Sequence, residues 1–238
     1  MATHKIQGIV LRKTDYSETS IILQVLTAEE GIKSFIYQGG KRKNKKGNLI
    51  SPLAVIDIEY YQRKESELGR ISSLGASIIY KSIPFDPYKS SIVFFMNEVL
   101  SATVQEHEEN ESLFHFLLNI LSVLDLSETI ANFPIKFLYR LTQYIGFYPN
   151  EVERPTYLDL KEGTYTPYAP SHGIYLSQEN TALLLTLSKC SFDGENDPPV
   201  NLGARREIMN DLVRYYQLVI ENFKPLKSLP VLEATFHN

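Results

Sequence analysis

The sequence has almost no cysteine. Cys190 stands alone among 238 residues, so neither a disulfide within one chain nor a four-cysteine zinc site can form. Long apolar runs are missing too. None approaches the roughly 18 residues of a membrane-spanning helix, and Met1-Ala2-Thr3-His4-Lys5 lacks the apolar core of a signal peptide. The expectation is a cytoplasmic protein with no membrane association. Catalytic signatures are equally scarce. His4, His107, His115, His172 and His237 are scattered without metal-ligand spacing, and no Gly-Lys-Ser/Thr follows Gly39-Gly40 as a P-loop requires. Ser101, Ser122 and Cys190 have no adjacent base in sequence, and Cys190 reads as a small buried hydrophobe at a helix end. No enzyme, metal or cofactor is expected. With 12 glycines and 12 prolines the chain is not low-complexity, and 43% apolar residues suffice for a sizeable core.

One absence is local. From Gly31 to Ile56 there is no carboxylate, yet the stretch holds Lys33, Lys41, Arg42, Lys43, Lys45 and Lys46. Residues 1–80 carry 12 basic and 8 acidic residues, a net of +4, whereas residues 81–238 carry 12 and 20, a net of −8. Such asymmetry points to a polyanion-binding end. Five of the six residues from Lys41 to Lys46 are cationic, and glycines flank them, so the run reads as a loop.

What is present reads as strands first and helices after. Ile6 to Leu11, Thr19 to Leu26, Ile32 to Gln38, Leu53 to Tyr61 and Leu68 to Ile79 are five candidate strands. In the fourth, Ala54, Ile56, Ile58 and Tyr60 share one face and Val55, Asp57, Glu59 and Tyr61 a wetter one, which places Tyr60 in the core. Five short strands with no long helix between them suggest an oligonucleotide/oligosaccharide-binding (OB) barrel. On strand count alone an SH3-like barrel is the rival. Ile83-Pro84-Phe85-Asp86-Pro87 marks a boundary, giving an OB domain at residues 1–80 and a helical domain at 81–238. Apolar spacing near 3.6 predicts helices over 88–107, 111–125, 131–147, 178–189 and 203–222, with Gly146 closing the third and Ser228 capping one more turn. Residues 148–176 form an irregular insertion rich in proline and tyrosine. The fold class is therefore α+β.

The basic run is the best functional candidate. A flexible cluster of cations neutralises several phosphates at once and releases counterions. Lys33, Arg12-Lys13 and Arg63-Lys64 extend the patch, and Phe35, Tyr37, Tyr60 and Tyr61 lie nearby for stacking with unpaired bases. The bland alternative is a solvated loop that aids solubility. Two other functions stay open on the residues alone: a protein-interaction scaffold, and an RNA-binding OB protein.

The N-terminal third resembles RecO, a bacterial family of recombination mediators. The matching pieces are Gly8-Ile9-Val10-Leu11, Tyr16-Ser17-Glu18-Thr19-Ser20-Ile21-Ile22-Leu23, Thr27-Ala28-Glu29-Glu30-Gly31, Gly39-Gly40-Lys41-Arg42 and Leu49-Ile50-Ser51-Pro52-Leu53. The Phe137 to Gly146 helix and Pro225-Leu226-Lys227-Ser228 are also similar to the family. The resemblance implies an OB domain followed by a helical domain, with no nucleotide hydrolysed. It implies binding to single- and double-stranded DNA, annealing of complementary strands, and action with RecR to load RecA onto DNA coated by single-stranded-DNA-binding protein. Lys41, Arg42 and Lys43 would contact the backbone, with Arg12 and Lys33 in support; Lys45 and Lys46 join them as nucleic-acid-binding candidates from the basic run itself.

Many members of that family carry a four-cysteine zinc ribbon, but here the corresponding stretch, about Asn150 to Leu176, has no cysteine. Ser171-His172-Gly173-Ile174-Tyr175 resembles the remnant of a second metal knuckle. The departure implies a degenerate, metal-free hairpin held by packing of Tyr157, Tyr165, Tyr168 and Tyr175. In some relatives the helical domain takes the acidic, apolar tail of the single-stranded-DNA-binding protein, which needs an apolar groove with a cation at its rim. Lys136 and Arg140, one turn apart beside Phe137 and Leu141, are the candidates. The competing reading is a core helix with two solvated cations.

Overall fold

The computed structural model describes residues 3–38, 47–62, 68–104, 109–150 and 152–235. The chain divides into two compact units, residues 1–81 with 99–121, and residues 82–98 with 122–238.

The first unit contains a closed five-stranded barrel. Its strands are β1 (Thr3–Asp15), β2 (Ser20–Thr27), β3 (Gly31–Gln38), β4 (Val55–Tyr61) and β5 (Gly69–Ala76), in the order β1-β2-β3-β5-β4. β1 pairs antiparallel with both β2 and β4, and a short parallel contact between β3 and β5 closes the barrel. This is an OB-like arrangement, which decides against the SH3-like rival. Alternation sends Val10, Leu23, Val25, Phe35, Ile56, Ile58, Tyr60, Ile71 and Leu74 inward to one apolar cluster. Tyr60 is core, as its alternation predicts. Phe35 and Tyr60 meet edge to face at 5.0 Å. Gly69 is what lets β5 approach them, because a Cβ there would stand 2.8 Å from a Phe35 ring carbon and 2.9 Å from one of Tyr60.

Helices begin where capping chemistry allows. α1 (Pro87–Thr103) has proline at its start, and the Asp86 carboxylate accepts from the N–H groups of Tyr88 and Lys89 at 2.8 and 3.1 Å. The Asn110 side chain does the same for α2 (Glu111–Leu126), accepting from the Leu113 N–H at 2.8 Å. α1 and α2 contribute residues to both units.

The second unit adds α3 (Phe133–Tyr144), α4 (Gln178–Leu187), α5 (Leu202–Val219) and α6 (Ser228–Thr235). Gly146, at φ +85°, closes α3 as expected. Ser177 and Asn201 cap α4 and α5, and the Glu98 carboxylate accepts from the backbone of Lys227 and Ser228 to start α6. Between α3 and α4 lies a three-stranded sheet, β6 (Tyr157–Asp159), β7 (Thr164–Thr166) and β8 (Tyr175–Leu176), in the order β7-β6-β8. The expected hairpin is the β6–β7 part of it. Tyr165 is buried with its hydroxyl 2.7 Å from that of Tyr139, and Tyr157 meets Tyr175 edge to face at 5.5 Å. Tyr168 does not join them. It is 81% exposed, so the expectation that it helps hold the insertion is corrected. Cys190 is half-buried rather than buried, with its thiol sulfur 3.3 Å from the carbonyl oxygens of both Thr186 and Asn196.

Candidate nucleic-acid interface

Cross-strand partners share a face, so the registers define what the barrel shows to the outside. One outward row, Ile32–Leu26–Ile9–Val55, is apolar and buried. The next row along the strands changes character. A β-bulge between Val10 and Arg12 re-aims β1, so that Arg12 pairs with Gln24 and Gln24 with Ser34. The row after that runs Thr14–Ile22–Ile36–Arg70–Tyr61 and returns to β1 at Thr3, as the tilt of a closed barrel requires. Arg12, Thr14 and Arg70 are exposed, and Ile22, Gln24, Ser34, Ile36 and Tyr61 are half-buried. Neither of these two rows contains a carboxylate.

In sequence, the basic run follows the strand that carries Ile36. Beyond Ile22 and Ile36, Ser20 pairs with Gln38 at the end of β3. The Ser20 carbonyl also accepts from the N–H groups of Tyr16 and Ser17, which folds the β1–β2 turn and leaves Tyr16 59% exposed. Lys41, Arg42, Lys43, Lys45 and Lys46 lie outside the described residues. On their far side the chain is anchored by a 3-10 turn, Gly47–Ile50, with Ile50 in the barrel core and Leu49 packed against it.

Lys33 does not join this face. It pairs with inward-facing Val25, and its ammonium donates to Glu30 Oε2 at 2.5 Å and to the Tyr60 hydroxyl at 2.8 Å. Burial works against the charge, but the Glu30 carboxylate and Tyr60 outweigh it and hold the Lys33 pKa above the ordinary lysine value. Its expected support of a phosphate contact is therefore corrected to an ion pair with Glu30 and a hydrogen bond to Tyr60. Arg70 was missed in sequence. Its basic side chain in a strand was visible, but its neighbourhood with Ile36 depends on a parallel pairing no local pattern reveals.

Lys136 is corrected as well. Only 2% of its side chain is exposed, against 6% for Asp197, and its ammonium contacts Asp197 Oδ1 at 2.8 Å and the Ser191 carbonyl at 2.7 Å. Asn132 donates to Asp197 and accepts from Arg205 Nε at 3.1 Å, extending a buried polar network. Arg140, half-buried, donates to the Ser188 carbonyl at 3.1 Å. Both side chains tie α3 to the segment after α4, and the Lys136 ammonium is not at the rim of a groove.

Nor do the residues of the small sheet fit a zinc ion. Asp159 Oδ2 and His172 Nε2 stand 3.0 Å apart, but Asp159 Oδ1 already accepts from Lys161 and Glu162, and His172 Nδ1 from Ile174. Two engaged groups fall short of four tetrahedral ligands. Among the described residues no group of three or more His, Cys, Asp or Glu side chains is placed to hold a metal ion. Among them, too, no helix is long and apolar enough to cross a membrane.

Comparison with known proteins covers both halves of the chain. Residues 1–77 match the family model for the recombination protein O N terminal region, and residues 84–230 that for its C terminal region. The chain is 32% identical over 238 residues to DNA repair protein RecO of Flavobacterium psychrophilum, covering 98% of each. It is 33% identical over 238 residues to that of Bacteroides fragilis, again over 98% of each chain. Against DNA repair protein RecO of Phocaeicola vulgatus the identity is 32% over 240 residues, with 98% of each covered. With both halves matched in order and relatives aligned end to end, this chain belongs to the RecO family of DNA repair proteins.

Proposed function

We propose that this protein binds the DNA backbone through one side of its barrel and acts as a recombination mediator that anneals strands rather than as an enzyme. One observation carries the reading. Two outer rows without carboxylates bear Arg12 and Arg70, and the strand that carries Ile36 is followed in sequence by a run with five cations among six residues. Membership in a DNA repair family supports nucleic acid as the polyanion. Mechanistically, Lys41, Arg42, Lys43, Lys45 and Lys46 would neutralise phosphates of both single- and double-stranded DNA and release their counterions. Two complementary strands neutralised on one protein repel each other less, which speeds their pairing. No reacting bond and no nucleotide are involved.

RecR, the single-stranded-DNA-binding protein and, indirectly, RecA are the partners that the family resemblance supports. The test is strand annealing followed by fluorescence energy transfer between two labelled complementary oligonucleotides. Charge reversal at Lys41, Arg42 and Lys43 is expected to abolish both the acceleration and most of the single-strand affinity. Unchanged affinity and annealing in that variant would refute the proposal.

A further inference from the structure

Leu49-Ile50-Ser51-Pro52-Leu53 carries no charge and no aromatic ring to offer DNA. Its backbone is nevertheless unusual. Leu53 has φ +54°, in the left-handed region that glycine or asparagine ordinarily fills. Pro52 precedes it, and the Ala54 N–H donates to the Ser51 carbonyl at 3.1 Å. Residues 51–54 thus have the features of a type II turn with leucine at its glycine position. The Leu53 N–H donates to the Val10 carbonyl at 2.8 Å, and the Val10 N–H to the Ala54 carbonyl at 2.9 Å. Two residues therefore face one on β1, in the kind of bulge that also ordinarily begins with glycine. A bulky residue keeps such a conformation only where its surroundings over-determine it. Here the Leu53 side chain is wholly buried, and its carbonyl accepts from the Tyr80 hydroxyl at 2.9 Å.

Val10 holds two irregularities at once. Toward β2 the ladder shifts between Val10 and Arg12, and Arg12 comes out exposed. Toward β4 the same residue binds the Leu53 turn, which follows the 3-10 turn Gly47–Ile50 that begins one residue past Lys46. We infer that the Ser51–Ala54 turn is a positioning element for DNA binding: Leu53, locked by Val10 and Tyr80, fixes where the chain returns from the basic run relative to Arg12. The inference rests on the DNA-binding reading above and adds residues that act on DNA only through others. The strained backbone is what points to position. Burial alone is met by leucine in a relaxed strand, and a tight turn alone by glycine. Glycine would leave the turn free to take other conformations. Leucine there, with two backbone bonds to Val10 and one hydroxyl on its carbonyl, pins the return of the chain to a single point. Without that pin the basic run still attracts a polyanion, but Arg12 meets the same strand only part of the time.

The test uses the full chain with Tyr80→Phe and Pro52→Ala together. These remove the hydroxyl on the Leu53 carbonyl and the ring that pre-sets the turn, and leave Leu53 and every cation in place. Anisotropy of a labelled oligothymidine is measured across a salt series for the parent, this variant, Arg12→Gln and the combination. With one phosphate no longer engaged, the log–log slope of the turn variant is expected to be less negative by roughly 0.7. Arg12→Gln should give the same shift, and the combination no more than either alone. A turn that serves only the fold lowers the thermal midpoint and leaves the slope, so that Arg12→Gln acts in full in both backgrounds. That result, or an Arg12→Gln protein with the parent slope, would overturn the inference while leaving the DNA-binding reading standing. A parent protein that bound no DNA would overturn both. Should circular dichroism show the double variant unfolded, Tyr80→Phe alone, which deletes one hydroxyl, decides the matter: a slope shifted in the same direction supports the inference, and the parent slope contradicts it.

Discussion

Replacing Lys136 with methionine removes the cation from a pair in which both side chains are almost wholly out of water, 2% and 6% exposed. What the Asp197 carboxylate keeps, among the described residues, is a neutral donor, the Asn132 amide at 3.1 Å. Taking one partner from a buried ion pair costs about 3–5 kcal/mol, because the other charge stays behind without compensation. In a chain of this size each kcal/mol lowers the melting temperature by roughly 2–4 °C, so a fall of about 6–20 °C is expected. Adding Asp197→Leu removes the stranded charge and should recover much of the loss, because a well-packed apolar pair often replaces a buried salt bridge at little cost. Circular dichroism on Lys136→Met, Asp197→Leu and the double variant gives the full cycle, with a coupling of about 2–3 kcal/mol expected. A loss below about 1 kcal/mol for Lys136→Met, alongside weakened binding of an acidic peptide, would refute the reasoning and restore Lys136 to a groove rim.

Other expectations follow from the packing and the titrating groups. Gly69→Ala pushes a methyl group against the buried rings of Phe35 and Tyr60, so thermal unfolding should show a loss of about 1–3 kcal/mol, and an unchanged midpoint would contradict the close approach. Burial pushes the Glu98 pKa up, but the Ser228 hydroxyl and the N–H groups of Lys227 and Ser228 outweigh it and hold the carboxyl below its usual range. A depressed carboxyl contributes stability above its unfolded pKa that is lost as pH falls through the folded one. Hydrogen exchange in α6 should therefore speed up in Glu98→Gln at neutral pH, and in the parent protein only on acidification below about 4. Burial, with Glu207 adding to it and Arg214 opposing, lifts the Asp211 pKa to about 6. A raised carboxyl costs stability that appears as pH rises from about 4 and is complete above the folded pKa. Asp211→Asn is thus expected to raise the melting temperature at pH 8 and to leave it unchanged at pH 4, and equal effects at both would contradict that burial.

Much of the fold was legible because it is written in short-range periodicity. Ile56, Ile58 and Tyr60 alternate inward as their spacing demands, and Gly146 closes α3 where the sequence places a helix end. The site was half legible for the same reason. A basic run free of carboxylates is a local signal. Arg70 beside Ile36 comes from a parallel pairing of distant strands, and Arg12 reaches the face through a bulge. Neither is visible to local patterns. Lys33 looked like a free cation because the acid-free window opens one residue after Glu30, yet Glu30 is the carboxylate that the β2–β3 turn returns to it. Lys136 misled for a different reason. Every α3 residue from Phe133 to Tyr139 is buried, so the helix has no wet face there, and the Asp197 partner lies far along the chain.

The central claim is that cations on one side of the barrel meet phosphates, and salt dependence reports it most directly. Anisotropy of a labelled single strand across a salt series should give a log–log slope of roughly −5 if the five cations from Lys41 to Lys46, Arg12 and Arg70 each neutralise one phosphate. Arg12→Gln with Arg70→Gln should move the slope to roughly −3.5, and Lys41, Arg42 and Lys43 made glutamine to roughly −3. A slope near zero, or one that neither set of substitutions changes, would contradict the account.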